Sequence, residues 1–212
     1  MNKLFLTNIN RYGVVISLFT LAIGFVTLTS GVPILGSVSV CLGGLIGLFA
    51  LFGNEGIINA FQKPQKFFST FVFGYLAAAI LAALMSTVVQ HVLHAPTAPN
   101  KVIDQLSLTF LLQTLPMLLG EELLTVVILI IIANLMGGTK KAVLIGVTIS
   151  TLVFALLHLP TYDWNILQCL LIIGAARIPF TLATLRSNSI WTGYAVHVAY
   201  DWTAFLLIMF VS

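Results

Sequence analysis

Leu118-Leu-Gly-Glu-Glu-Leu-Leu-Thr125 lies in the middle of an apolar run extending from about residue 105 to 135, with no lysine or arginine inside it. A run of that length exceeds the roughly 20 residues that carry a helix across a hydrocarbon core about 30 Å thick. Glu121 and Glu122 therefore fall at bilayer depth, where an ionisable side chain costs several kcal/mol unless it finds a partner or a wet cavity. Six further apolar runs flank this one, near 12–30, 32–53, 67–93, 142–159, 164–185 and 190–211. Backbone groups cannot stay unpaired in lipid, and no ten-residue alternation suggests a barrel, so each run reads as a helix. The expected fold is all-α, a polytopic transmembrane bundle of about seven spans, with residues 1–212 forming one integral membrane domain.

Composition agrees with this. Of 212 residues, 59% are hydrophobic and 7% charged, and the mean hydropathy is +1.10, outside the range of a soluble globular domain. The formal charge is +3, but no basic cluster is interleaved with aromatics, so nucleic acid is not an expected partner. Cys41 and Cys169 both lie in apolar runs, where a small buried hydrophobe is the better reading than a disulfide or a metal ligand. The first run, Tyr12 to Ser30, is too long for a secretory h-region and lacks a small-x-small cleavage site, which makes it a retained span.

Loop chemistry separates the runs: Gly31-Val-Pro33, the polar stretch from Asn54 to Lys66, Ala95-Pro-Thr-Ala-Pro-Asn100, Gly137-Gly-Thr-Lys-Lys141 and Pro160-Thr-Tyr-Asp163. Gly43-x-x-x-Gly47 in the second run reads first as an intramolecular packing face and second as a dimer contact. With seven spans and the N-terminus inside, the inner segments hold Lys3, Arg11, Lys63, Lys66, Lys140, Lys141, Arg177 and Arg186, and the outer ones only Lys101. Eight against one predicts a cytoplasmic N-terminus and an external C-terminus.

The few polar residues inside the spans carry the chemistry. Adjacent helical positions point about 100° apart, so Glu121 and Glu122 cannot serve the same purpose. Thr114, Glu121 and Thr125 share a helical stripe, which favours Glu121 as the inward-facing carboxylate. Thr151, Phe154 and His158 fall on one face of the fifth span, and Tyr194, His197 and Asp201 on one face of the seventh. A lone glutamate pair or histidine can be interhelical glue, but two histidines and an aspartate on separate helices, added to the glutamates, point to a shared site. His91 and His94, at the outer end of the third span, read as interfacial residues, and Asp104 and Asp163 as boundary residues. One difficulty is depth, because upright helices with these limits would leave His158 and His197 roughly 15 Å apart along the membrane normal.

Glu121-Glu122, Phe154-Ala-Leu-Leu-His158 and His197-Val-Ala-Tyr-Asp201 follow the order of the EE, FxxxH and HxxxN/D motifs. Over residues 105–205 the chain resembles the CPBP or Abi family, which includes CAAX prenyl endopeptidases and bacteriocin-processing and self-immunity proteins. The resemblance implies an intramembrane endopeptidase in a bacterial cytoplasmic membrane. In it Glu121 is the general base, His158 helps hold the water, His197 and Asp201 stabilise the transition state, and Glu122 supports the site. The implied partners are membrane lipid and a peptide, leader-peptide or prenylated-protein substrate. The family pattern usually reads EExxxR, whereas Val126 stands at the arginine position. Two histidines and acidic oxygens also leave zinc open as a cofactor, although no HExxH spacing gathers them on one helix, and a glutamate-activated water is preferred. The alternatives are a noncatalytic immunity or regulatory scaffold and, less favoured for want of an inverted repeat, a proton-coupled transporter.

Overall fold

In a computed structural model, which describes residues 2–211, seven helices are long and apolar enough to span a membrane. The α-helices are α1 (Arg11–Thr29), α2 (Pro33–Phe52), the short α3 (Asn54–Ala60), α4 (Phe67–Thr87), α5 (Leu108–Leu135), α6 (Lys140–Leu157), α7 (Gly174–Ser187) and α8 (Ile190–Val211). A π-helical turn, Val88–Val92, extends α4, and another, Gln168–Ile173, leads into α7. There is no strand among the described residues. The protein is an all-α polytopic membrane bundle.

Small and polar residues face inward, and large apolar ones face outward. The buried positions of α1 are Gly13, Ser17, Leu21 and Gly24, and those of α4 are Thr70, Gly74, Ala78 and Ala82. Phe19 and Val15 on α1 and Phe73 and Ile80 on α4 are exposed. Lipid tails are as apolar as leucine, so the inside gains from close helix approach rather than from water exclusion. Gly43 and Gly47 belong to this pattern. The Thr20 hydroxyl donates to the Gly43 carbonyl at 2.9 Å and Ser17 Oγ to the Gly47 carbonyl at 2.9 Å. The pair is an α1–α2 packing face.

Helix α5 packs against α2, α6 and α8 and is the central element of the bundle. Its second half is buried almost all round, from Glu122 to Ile131. Gly120 makes this possible: a Cβ there would lie 2.6 Å from the Cys41 backbone nitrogen of α2, so only glycine lets the two helices meet immediately before the glutamates. Ser107 and Thr139 accept hydrogen bonds from Phe110 N and Ala142 N, both at 3.1 Å, and these caps set the starts of α5 and α6 at Leu108 and Lys140.

The largest boundary correction lies between α6 and α7. Helix α6 stops at Leu157, His158 is its C-cap, and Leu159–Tyr162 is a 3-10 turn carrying Pro160. Proline cannot donate the next intrahelical bond, so the fifth span ends there and the sixth begins at Gln168 rather than 164. Cys169 is buried, Cys41 is half-buried, and both are free thiols.

Candidate active site

The two glutamates diverge as their helical spacing requires. The Glu122 side chain is fully buried, while that of Glu121 is 19% exposed and faces a cavity of about 500 Å³ between the helices. Thr114, His158, Tyr162, His197 and Asp201 line the same cavity. Four of the five residues singled out in the sequence thus share one space, and Glu122 lies behind it.

Glu122 accepts three hydrogen bonds. Arg177 Nη1 and Nη2 donate to Oε1 and Oε2 in a bidentate pair, the Nη2–Oε2 contact being 2.9 Å, and His197 Nδ1 lies 2.8 Å from Oε1. The Arg177 guanidinium sits over the rings of Phe154 and Phe180, 4.8 Å and 5.6 Å from their centroids. Gly193 on α8 lets the parts meet, because a Cβ there would lie 2.8 Å from the Phe180 carbonyl oxygen, 3.0 Å from Glu122 Oε2 and in collision with the Thr184 hydroxyl.

Arg177 corrects the sequence reading, which counted it with the inner-side cations. It is 0% exposed, within the sixth span, and its charge is spent on Glu122. Val126, at the position of the family's arginine, is buried in the apolar core instead. The signal was available: a lone arginine in an apolar run needs a partner for the same reason a lone glutamate does.

With Nδ1 committed to Glu122, His197 turns Nε2 into the cavity, 3.7 Å from Glu121 Oε2 and 3.6 Å from Asp201 Oδ2. These separations exceed direct hydrogen bonds and leave room for a bridging oxygen. Phe180 stacks on the His197 ring at 4.6 Å. His158 Nδ1 lies 2.8 Å from the Phe154 carbonyl oxygen, which can only accept, so Nδ1 carries the proton and Nε2 of a neutral ring presents a lone pair.

That bond also removes the depth difficulty. It folds the His158 ring back along α6, so that one Phe154 ring lies 4.4 Å from His158 and 6.1 Å from His197. Both imidazoles therefore pack around one phenylalanine ring, closer together than upright, unbroken helices would leave them.

Residues 103–203 match the family model for Rce1-like type II CAAX prenyl endopeptidases. The recognition read from the three motifs, placed at 105–205, is borne out by it. Comparison with curated proteins and with solved structures gave no match. The Rce1-like segment covers all five motif residues and Arg177, and of the two segments that roof the cavity it covers the one from Pro160 to Gln168.

The roof is built by two outer segments strapped together. Lys101 pairs with Asp163 at 2.7 Å and donates to the Pro160 carbonyl at 3.1 Å. Asn100 Nδ2 donates to the Tyr162 hydroxyl at 3.2 Å, and the Gln168 side chain makes two bonds to the backbone of Ala98. Burial first, and the nearby Asp201 carboxylate second, push the Tyr162 hydroxyl well above its ordinary value, so it meets the cavity as a neutral phenol. His91, His94 and Asp104 are exposed and do not line the cavity. Thr125 is also outside it, donating to the Glu121 carbonyl.

Among the described residues, no group of three or more His, Cys, Asp or Glu side chains is arranged to hold a metal ion. The Nδ1 atoms of His158 and His197 are engaged by a carbonyl and by Glu122, which leaves the two Nε2 atoms open.

Proposed function

We propose that the protein is an intramembrane endopeptidase that hydrolyses a peptide bond with a water held between Glu121 and His158. The observation that carries this reading is the convergence of Glu121, His158, His197 and Asp201 on one cavity inside an apolar bundle. A water there donates one hydrogen to the Glu121 carboxylate and the other to His158 Nε2, which aims its lone pair at a substrate carbonyl. As its oxygen bonds to the carbonyl carbon, Glu121 takes the proton. The tetrahedral oxyanion is held by His197 Nε2–H. His197 donates from both nitrogens only as an imidazolium, with Glu122 and Asp201 as its counter-charges. When the C–N bond breaks, Glu121 passes its proton to the leaving amine. In this scheme Asp201 orients and balances His197, and Arg177 fixes Glu122.

The membrane orientation bears on the substrate. With Arg177 withdrawn, seven inner cations still face Lys101 alone, which supports a cytoplasmic N-terminus and an external C-terminus. The roofed mouth of the cavity then opens outward. This favours a membrane-associated leader or precursor peptide over a protein prenylated in the cytoplasm.

The deciding experiment is mass spectrometry of candidate leader and lipidated peptides incubated with purified protein and with Glu121→Gln. Cleavage by the parent and none by the well-folded variant supports the reading. If neither cuts any peptide while cells keep an immunity phenotype with Glu121→Gln and His158→Ala, the polar cluster is a scaffold.

A further inference from the structure

We propose that the face opposite the roofed mouth, on both sides of α7, binds one anionic diacyl phospholipid from the membrane. Ile178, Leu182 and Leu185 recur at spacings of four and three, forming a rib that separates two lipid-facing grooves. One groove, about 570 Å³, runs between α7 and α6 and is bordered by Leu144 and Leu152. The other, about 630 Å³, runs between α7 and α4 and is bordered by Phe73, Ala77 and Leu81. Each has the volume of a small-molecule site.

The two grooves end in a base at the same end of the bundle. Lys140, the first residue of α6, closes one, and Arg186, next to last in α7, closes the other. Successive spans run antiparallel, so these positions are level with each other. Neither base pairs with a carboxylate among the described residues. Arg186 lies 5.8 Å from the Phe73 ring, which holds its side chain at the groove mouth. Lys3, Arg11, Lys63, Lys66 and Lys141 lie at this end too, against Glu55 as the one acidic residue. That charge complements a phosphate headgroup.

Two apolar grooves that share one rib and each end in a base match the two chains and single phosphate of one lipid. Two acyl chains of one lipid straddle the rib and place the phosphate between Lys140 and Arg186. The inference is independent of the protease reading, since the grooves share no ionisable residue with the cavity.

Native mass spectrometry of the protein in detergent, titrated with phosphatidylglycerol, lysophosphatidylglycerol and phosphatidylcholine, tests it. Phosphatidylglycerol should bind tightest. Lys140→Gln with Arg186→Gln should lower its affinity about 30-fold, from ~1 kcal/mol per basic residue, while Lys140→Arg with Arg186→Lys retains it. Ala175→Phe or Ala77→Phe, each filling one groove, should reduce phosphatidylglycerol to the level of the single-chain lipid. A lipid-free melting curve for each variant separates lost binding from lost fold, and the charge pair decides alone if the phenylalanine variants do not fold. Equal binding of phosphatidylglycerol and phosphatidylcholine, undiminished binding by the glutamine pair, or a second protein copy occupying this face overturns the proposal.

Discussion

Arg177→Met removes the guanidinium that donates two hydrogen bonds to the fully buried Glu122 carboxylate. Methionine fills much of the arginine volume and keeps an apolar side chain beside Phe154 and Phe180. Its cost is therefore mainly that of stranding Glu122. Breaking one side of a buried ion pair costs ~3–5 kcal/mol, whereas replacing both partners with neutral groups of similar volume is often close to neutral. Glu122→Gln alone should cost a comparable amount by stranding the guanidinium. The double variant should lie at least ~2 kcal/mol above the sum of the two losses, a coupling in the range found for groups in direct contact. Unfolding in mixed micelles, followed by tryptophan fluorescence, measures all four corners of the cycle. Single variants within ~1 kcal/mol of the parent, or losses that simply add, would refute the assignment of Arg177 as the partner that makes a buried Glu122 tolerable.

Glu121→Gln should leave the unfolding midpoint close to that of the parent and abolish cleavage, because its side chain faces the cavity and, among the described residues, its nearest ionic partner, His197 Nε2, is 3.7 Å away, beyond a direct hydrogen bond; a large loss of stability would mean that Glu121 holds the bundle together. Gly193→Ala should cost ~1–3 kcal/mol or more by overpacking against Phe180 and Glu122, and a protein of unchanged midpoint and activity would contradict the close approach of α8. Lys101→Met breaks an ion pair whose side chains are each 55% exposed, so stability should change by less than ~1 kcal/mol, which the same unfolding assay reads. Activity should survive dialysis against a strong chelator, and full loss with restoration by zinc would reverse the choice of a glutamate-activated water. Cysteines introduced at Lys63 and Lys140 should be labelled from the same side of the membrane, and labelling from opposite sides would break the topology.

The spans were legible because the bilayer imposes one rule on every residue of a long apolar run. Their limits were less so, since they depend on single caps such as Ser107 and Thr139 and on one proline at 160. The site residues could be named because carboxylates and imidazoles are rare at bilayer depth, and the Thr114–Glu121 spacing selected the cavity-facing glutamate. Arg177 was hidden by its sign. A base in a membrane protein is first read as a topological marker, although a lone arginine inside an apolar run already calls for a partner, which the helix packing identifies as Glu122. Gly193 carries no chemical signal, because its importance is the space that it leaves to Glu122. Tyr162 was missed for another reason, as the 3-10 turn that brings it over the cavity follows from the early end of α6.

The placement of one positive charge links these findings. An arginine four residues after Glu122 would lie on the same helix, where a side chain reaches its neighbour along the helix surface. Val126 occupies that position and fills the core, and α7 supplies the guanidinium from across the bundle. An ion pair between helices constrains more than one within a helix: Arg177 ties α7 to α5, Glu122 ties α5 to His197 on α8, and Phe154 of α6 lies over the guanidinium. The same contacts that neutralise Glu122 therefore fix the relative positions of α5, α6, α7 and α8, four of the helices that line the cavity. An apolar pair at these positions could match the stability, but it would not hold His197 Nδ1 and so would not direct Nε2 towards Glu121 and Asp201.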